Sequence, residues 1–251
     1  MILSIESSIH ICSVALHDLE GNLLALHELH EQRKHAERLT LLVEAVLTTT
    51  QTKFSDLKAI AVGSGAGSYT GLRIGVSTAK GLCTGLNIPL IGIPSLKAWS
   101  ASMTSLAKDL KSQIKENNEE NKINYLLCPL MDARRMEVFT AIFDTELNYI
   151  LNDTALVIDE NSFEKELSST KILFFGDNEE KLQKCKTVIN GSKINTNAIF
   201  ISNKLPSAKE IGELAIQKYH NQDFEDLAYF EPNYGKEFYT TAKQLPVSSN
   251  Q

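Results

Sequence analysis

Seven of the thirteen glycines in this 251-residue chain fall between residues 63 and 85, in GSGAGSYTGLRIGVSTAKGLCTG, directly behind an apolar run at residues 57–62. That order predicts strand, glycine loop and helix, a unit from which α/β folds are built. The loop residues Gly65, Gly67, Ser68, Tyr69 and Thr70 are candidates for contact with an anion or nucleotide. Glycines can turn backbone N–H groups toward a helix start, where the dipole favours negative charge. A tight turn whose glycines serve packing alone is the equal alternative. Neither established phosphate motif is present: Gly71 is followed by Leu72 rather than lysine, and position 70 is threonine rather than the third glycine of a dinucleotide fingerprint.

At about 100° per residue, Gly71, Gly75, Thr78, Leu82 and Gly85 share one face of the helix, with Ile74 and Gly81 on one shoulder. Arg73, Ser77, Lys80 and Thr84 fall opposite, as a solvated side. Each interior glycine costs roughly 0.5–1 kcal/mol relative to alanine. Several together imply that another backbone comes close, either from this chain's own sheet or from a second protein; spacing leaves both open.

The length allows two modest domains or one large one. A formal net charge of −6 argues against the broad basic surface that nucleic-acid affinity needs. Cys12, Cys83, Cys128 and Cys185 lie far apart, without a C-x-x-C pair, and read as buried thiols of a reducing compartment. The opening MILSIESS lacks a signal peptide's basic flank and long apolar core, and no apolar run reaches the ~20 residues that span a bilayer. A cytoplasmic protein without membrane contact is expected.

Along the chain, residues 2–5, 11–16 and 23–29 predict a three-strand meander, with Glu6, Ser7 and Ser8 read as turn residues ahead of a ligand-facing role. Residues 34–50 predict a helix with Leu39, Leu42, Val43, Val46 and Leu47 inward, Arg38 beside a small second apolar patch, and His35 as a hydrogen-bonded packing residue. A strand at 89–93 and a single helix at 95–114 follow, then a charged connection, KENNEENKIN. The second half offers strands at 125–131, 137–143 and 149–158, a short helix from Asn161, and a strand at 172–175. A helix at 179–188, a strand at 198–201 and a helix at 206–219 complete it. The order strand, strand, strand, helix, strand, helix thus occurs twice, and two α/β units side by side leave a cleft. Asp132-Ala133-Arg134-Arg135 and Gly176-Asp177-Asn178 follow strands; turn chemistry is the commoner use of such residues, cleft lining the other. The divisions are residues 1–98, a helix and connection at 99–124, residues 125–232, and a partly disordered tail at 233–251.

Residues 63–75, the opening ILSIESSIHICSVAL, His35-Ala36-Glu37-Arg38-Leu39, Met131-Asp132-Ala133-Arg134 with Glu137-Val138-Phe139, and Glu231-Pro232-Asn233-Tyr234 together resemble the TsaB (YeaZ) family. The resemblance covers the first hundred residues and shorter islands beyond. It implies an α/β, actin-like ATPase (ribonuclease H-like) fold of two duplicated subdomains, each a mixed sheet with flanking helices. It also implies a non-catalytic dimerization subunit of the bacterial complex that makes tRNA threonylcarbamoyladenosine. The implied partners are a TsaD-like catalytic subunit and a TsaE-like ATPase, with tRNA reached only through the complex. The expected interface is His35, Arg38, Leu39 and Leu42 from one helix and Gly71, Arg73, Ile74, Gly75, Thr78, Leu82 and Gly85 from the other. Alone, the same surface would pair two copies as a homodimer.

The resemblance further implies no tightly bound cofactor, with ATP a candidate only in the assembled complex. The catalytic relative carries H-x-x-x-H on the helix after its glycine helix and strand, two metal ligands on one face. Here the matching residues are Ser95 and Trp99, and no two histidines stand four apart, so neither a metal site nor a catalytic constellation is expected. The family commonly has aspartate where this chain has Glu6, one methylene longer, which weighs against nucleotide in its own cleft. The rival class is an ATP-dependent small-molecule kinase or a metallopeptidase of similar fold, for which Glu6, Asp132 and Asp177 would be the carboxylates.

Overall fold

Apolar runs with no polar alternation predict strands covered on both faces, and the central strands have that environment. The computed structural model describes residues 1–31, 34–115, 124–191 and 196–235. β1 (Ile2–Glu6) is buried throughout; it pairs antiparallel with β2 (Cys12–His17), which pairs antiparallel with β3 (Leu23–Leu29). On its other side β1 pairs parallel with β4 (Ala59–Gly63), and β4 with β5 (Leu90–Ile93), giving the order β3-β2-β1-β4-β5. β6 (Tyr125–Asp132), β7 (Glu137–Phe143), β8 (Tyr149–Val157), β9 (Lys171–Gly176) and β10 (Ala198–Ile201) repeat it as β8-β7-β6-β9-β10. The repeat of topology makes this the duplicated, actin-like α/β fold.

α1 (His35–Thr49) and α2 (Tyr69–Leu86) cover the outer face of the first sheet, placing Leu39, Val43, Val76, Ala79 and Cys83 on Leu3, Ile5, Val14 and Val62. Ser68 Oγ caps α2 by accepting the Gly71 N–H at 3.3 Å, and Asn87 ends it in the left-handed conformation. α5 (Glu164–Leu167) and α6 (Glu179–Asn190) cover the outer face of the second sheet. All four cysteines are buried and unpaired.

Two expectations change. The predicted helix at 95–114 is two helices, α3 (Ser95–Ala101) and α4 (Thr104–Lys115). Ser102 Oγ donates to the Trp99 carbonyl at 2.7 Å and Thr104 Oγ1 to that of Ala101 at 2.9 Å, local bonds that compete with a continuous helix. The helix predicted at 206–219, α7 (Ala208–His220), does not stay with the second half. It crosses back to the inner face of the first sheet, where Ile211 and Ala215 pack on Ile2, Ala61, Ile91 and Ile93. Ser13 Oγ on β2 accepts the Ala208 N–H at 2.8 Å and fixes that arrival. In exchange α3 and α4 cover the inner face of the second sheet, through Leu96, Trp99, Met103 and Ala107. The crossed helices α3 and α7 meet between the sheets. Most of the charged connection, residues 116–123, and the tail from 236 lie outside the described residues. Asn233 is described, and its N–H donates to the Ser64 carbonyl at 2.7 Å, so the start of the expected tail is tied to the glycine loop.

Candidate functional site

A cleft of about 1330 Å³ opens where the carboxyl ends of the central strands of the two halves face each other. The first half contributes the turn Ser8–His10, His35 and Ala36 at the start of α1, and residues 67–71 with Ile74. The second half contributes Met131–Arg134, Phe139, Asp177 and Asn178, and Tyr234 closes one side. Asp132 and Asp177 therefore line the cleft as well as making turns, so the less favoured of their two sequence readings describes them.

The glycines of the first half are filled by this chain itself. A Cβ on Gly67 would stand 2.5 Å from the Ser8 carbonyl oxygen, one on Gly71 would collide with the Ser7 carbonyl, and one on Gly75 with Ser7 Oγ. Gly65, at φ +105°, lies under the Asn233 carbonyl. Three loop amides are already engaged: Ser64 N–H with the Ile93 carbonyl at 2.8 Å, Gly65 N–H with Ser95 Oγ at 3.4 Å, and Ser68 N–H with the Ser8 carbonyl at 2.7 Å. Of the anion candidates, Gly67, Ser68, Tyr69 and Thr70 border the cleft, whereas Gly65 stands behind its wall. Tyr69 stacks at a tilt on Tyr234, ring centroids 4.6 Å apart, and accepts a 2.7 Å hydrogen bond from Arg73 Nη1.

Glu6 is also behind the wall, at 1% exposure, its Oε1 accepting the Ser8 N–H at 2.6 Å. Burial pushes its carboxyl up, against the donors of Ser8 and Ser95. The longer side chain reaches over Gly63, where a Cβ would stand 2.5 Å from Oε2. Glu6 thus braces the turn that packs into the glycine helix, and Ser7 Oγ completes the brace by donating to the Gly71 carbonyl at 3.0 Å.

Asp132 ends β6 as Glu6 ends β1, but its carboxylate is met by a cation. Lys181 Nζ donates to Oδ1 at 2.9 Å and to the Arg135 carbonyl, while Asn178 Nδ2 donates to Oδ2 at 3.2 Å. Burial works to raise Asp132, but Lys181 and the surrounding donors outweigh it and hold the carboxyl below its usual range. Asp177, whose Oδ1 accepts the Asp132 N–H at 2.8 Å, is pushed up to about 6 by burial and by the neighbouring Asp132 charge.

Ser95 and Trp99 are fully buried, Trp99 edge-on to Phe175 with centroids 5.2 Å apart. Among the described residues no three of His, Cys, Asp and Glu gather as metal ligands. The expected helix interface divides. Leu39 is core, Gly71 and Gly75 face Ser7, and His35 is buried with Nε2 3.0 Å from the Ile9 carbonyl; these four turn inward. Arg38, Leu42, Arg73, Ile74, Thr78, Leu82 and Gly85 lie exposed or half-buried. A Cβ on Gly81 or Gly85 would meet nothing within 4 Å, and on α1 Leu41 is 48% exposed.

The family model described as TsaD, tRNA N6-adenosine threonylcarbamoyltransferase, matches residues 27–248. The chain is 42% identical over 95 residues to tRNA threonylcarbamoyladenosine biosynthesis protein TsaB of Escherichia coli (strain K12), covering 38% of this chain and 40% of that protein. It is 30% identical over 142 residues to the protein of the same name from Bacillus subtilis (strain 168), covering 57% and 54%. The chain thus spans about half, or less, of the curated relatives it matches. YeaZ from Pseudomonas aeruginosa shares the fold, with a TM-score of 0.71 and 21% identity over 93% of this chain and 98% of that one.

Proposed function

Since the chain belongs to the TsaD family, and within it resembles the TsaB (YeaZ) members, we propose that it is a non-catalytic dimerization subunit of the complex that makes tRNA threonylcarbamoyladenosine. The observation that carries this reading is the state of Ser95 and Trp99, which hold core packing at the positions where the catalytic relative is expected to hold its metal ligands. A serine hydroxyl is a poor ligand for such metals, and a fully buried indole is none. The partner is a TsaD-like catalytic subunit seated on the outer side of α1 and α2, over Leu41, Leu42, Ile74, Gly81, Leu82 and Gly85. Open glycines beside half-buried apolar side chains let a second backbone approach closely. Gly71, Gly75, Leu39 and His35 support that surface from beneath. A TsaE-like ATPase joins the complex, tRNA is reached only through it, and the chain pairs with itself when the partner is absent. ATP enters at the assembled junction, in a cytoplasmic setting; no helix among the described residues is long and apolar enough to cross a membrane.

Co-expression with the same organism's TsaD-like protein, size-exclusion chromatography, and a tRNA-modification assay omitting each subunit in turn test the reading. Gly85→Leu abolishes co-elution while the isolated variant still melts cooperatively; co-elution at wild-type strength counts against the surface. The rival kinase reading draws on the two cleft carboxylates, but both Asp132 oxygens already have donors from Lys181 and Asn178. Micromolar calorimetric binding of Mg-ATP by the isolated chain, with turnover, would favour that rival.

A further inference from the structure

We propose that Lys181 is a resident cation: its ammonium occupies the place beside Asp132 and the Arg135 carbonyl that a divalent ion would take, and so keeps the second half of the cleft closed to divalent metal. The duplication exposes the substitution. Ser68 caps α2 by accepting the Gly71 N–H, and Asn178 caps α6 by accepting the Lys181 N–H at 3.1 Å, so Gly71 and Lys181 occupy the same third helical position in the two halves. In the first half that position is stripped of its side chain and receives the Ser7 backbone. In the second it carries a side chain that is only 6% exposed and turns back under the end of β6.

Lysine is seldom buried to that extent without anionic or carbonyl oxygens to replace its water. Lys181 has both, in Asp132 Oδ1 and the Arg135 carbonyl. Both partners are oxygens, the donor type that hard divalent ions take, and Asp177 stands next to them with its Oδ1 on the Asp132 N–H. An ammonium held among those oxygens repels a second cation and satisfies the carboxylate at once. The inference concerns the cleft alone and stands whether or not the chain has a catalytic partner.

The test uses the full chain with Mn2+ as the probe, following thermal melting and the electron-spin signal of free Mn2+. Wild type and Lys181→Arg are expected to be indifferent to the metal. Lys181→Met melts lower in its absence, because Asp132 is left uncompensated, and its melting point climbs as Mn2+ is added. Its affinity for Mn2+ exceeds the wild-type value by at least about 10-fold. The Asp132→Asn, Lys181→Met double variant loses that response. The proposal is overturned if Lys181→Met responds no more than wild type, if it stays unfolded with Mn2+ as without, or if the double variant binds as well as the single.

Discussion

His17 closes β2 with a fully buried imidazole, neither nitrogen of which has a hydrogen-bond partner among the described residues. Gly212 of α7 lies directly against the ring, where a Cβ would collide with Nδ1. Burial pushes the imidazole below its ordinary value; Glu213 and Asp18 pull it back, and Lys209 adds to the fall. The unfolded chain therefore takes up this proton first, near the ordinary value of about 6.5. Stability is complete above that pH and is lost as pH falls from there toward the lower folded value. His17→Leu should flatten the drop in melting temperature between pH 7 and pH 5 while costing little at pH 7, since no hydrogen bond disappears. Gly212→Ala should destabilise by about 1–3 kcal/mol in urea titrations, through overpacking against that ring. None of this was legible in sequence, where a histidine ending an apolar strand looks like the start of a turn. Ser95 and Trp99 stood out only through the family resemblance, which supplied the histidine pair to set them against; spacing alone does not single them out.

For the helices, glycine spacing located α2 and its crowded face but could not say whose backbone approaches. The answer is both kinds of environment along one helix. Gly71 and Gly75 abut the Ser7 turn, whereas Gly81 and Gly85 have open space around the position a Cβ would take. Gly81→Ala and Gly85→Ala should each raise the stability of the isolated chain by about 0.5–1 kcal/mol, read from denaturant midpoints. Gly75→Leu should instead abolish the cooperative transition, since Ser7 and the buried Ile5 leave no room. The strand runs of both meanders were readable from apolar content, as was the inward stripe of α1. The break between α3 and α4 was not, because it depends on serine and threonine hydroxyls bonding to their own helix, which leaves the apolar pattern untouched.

Across the molecule, the two sheets and the cleft between them followed from the order of elements, and the turns bearing Asp132 and Asp177 fell where carboxyl strand ends face each other. The allotment of helices to sheets did not follow, since periodicity marks an apolar face without naming what covers it. Trp99 shows how much rests on that allotment: a helix from the first half fills the core beneath the second sheet with its largest side chain. Trp99→Ala should cost about 3–5 kcal/mol, measured by denaturant titration, and should loosen both halves together. Because α7 returns to seal the first sheet, synthesis in order from the amino end yields no finished unit at the halfway mark. On the ribosome, Ile2, Ala61 and Ile91 wait uncovered until codons past 220 have been read and that stretch has cleared the exit tunnel. A nascent chain stalled earlier is a client for chaperones, and a stop codon placed before residue 208 deprives the first-made sheet of its lid.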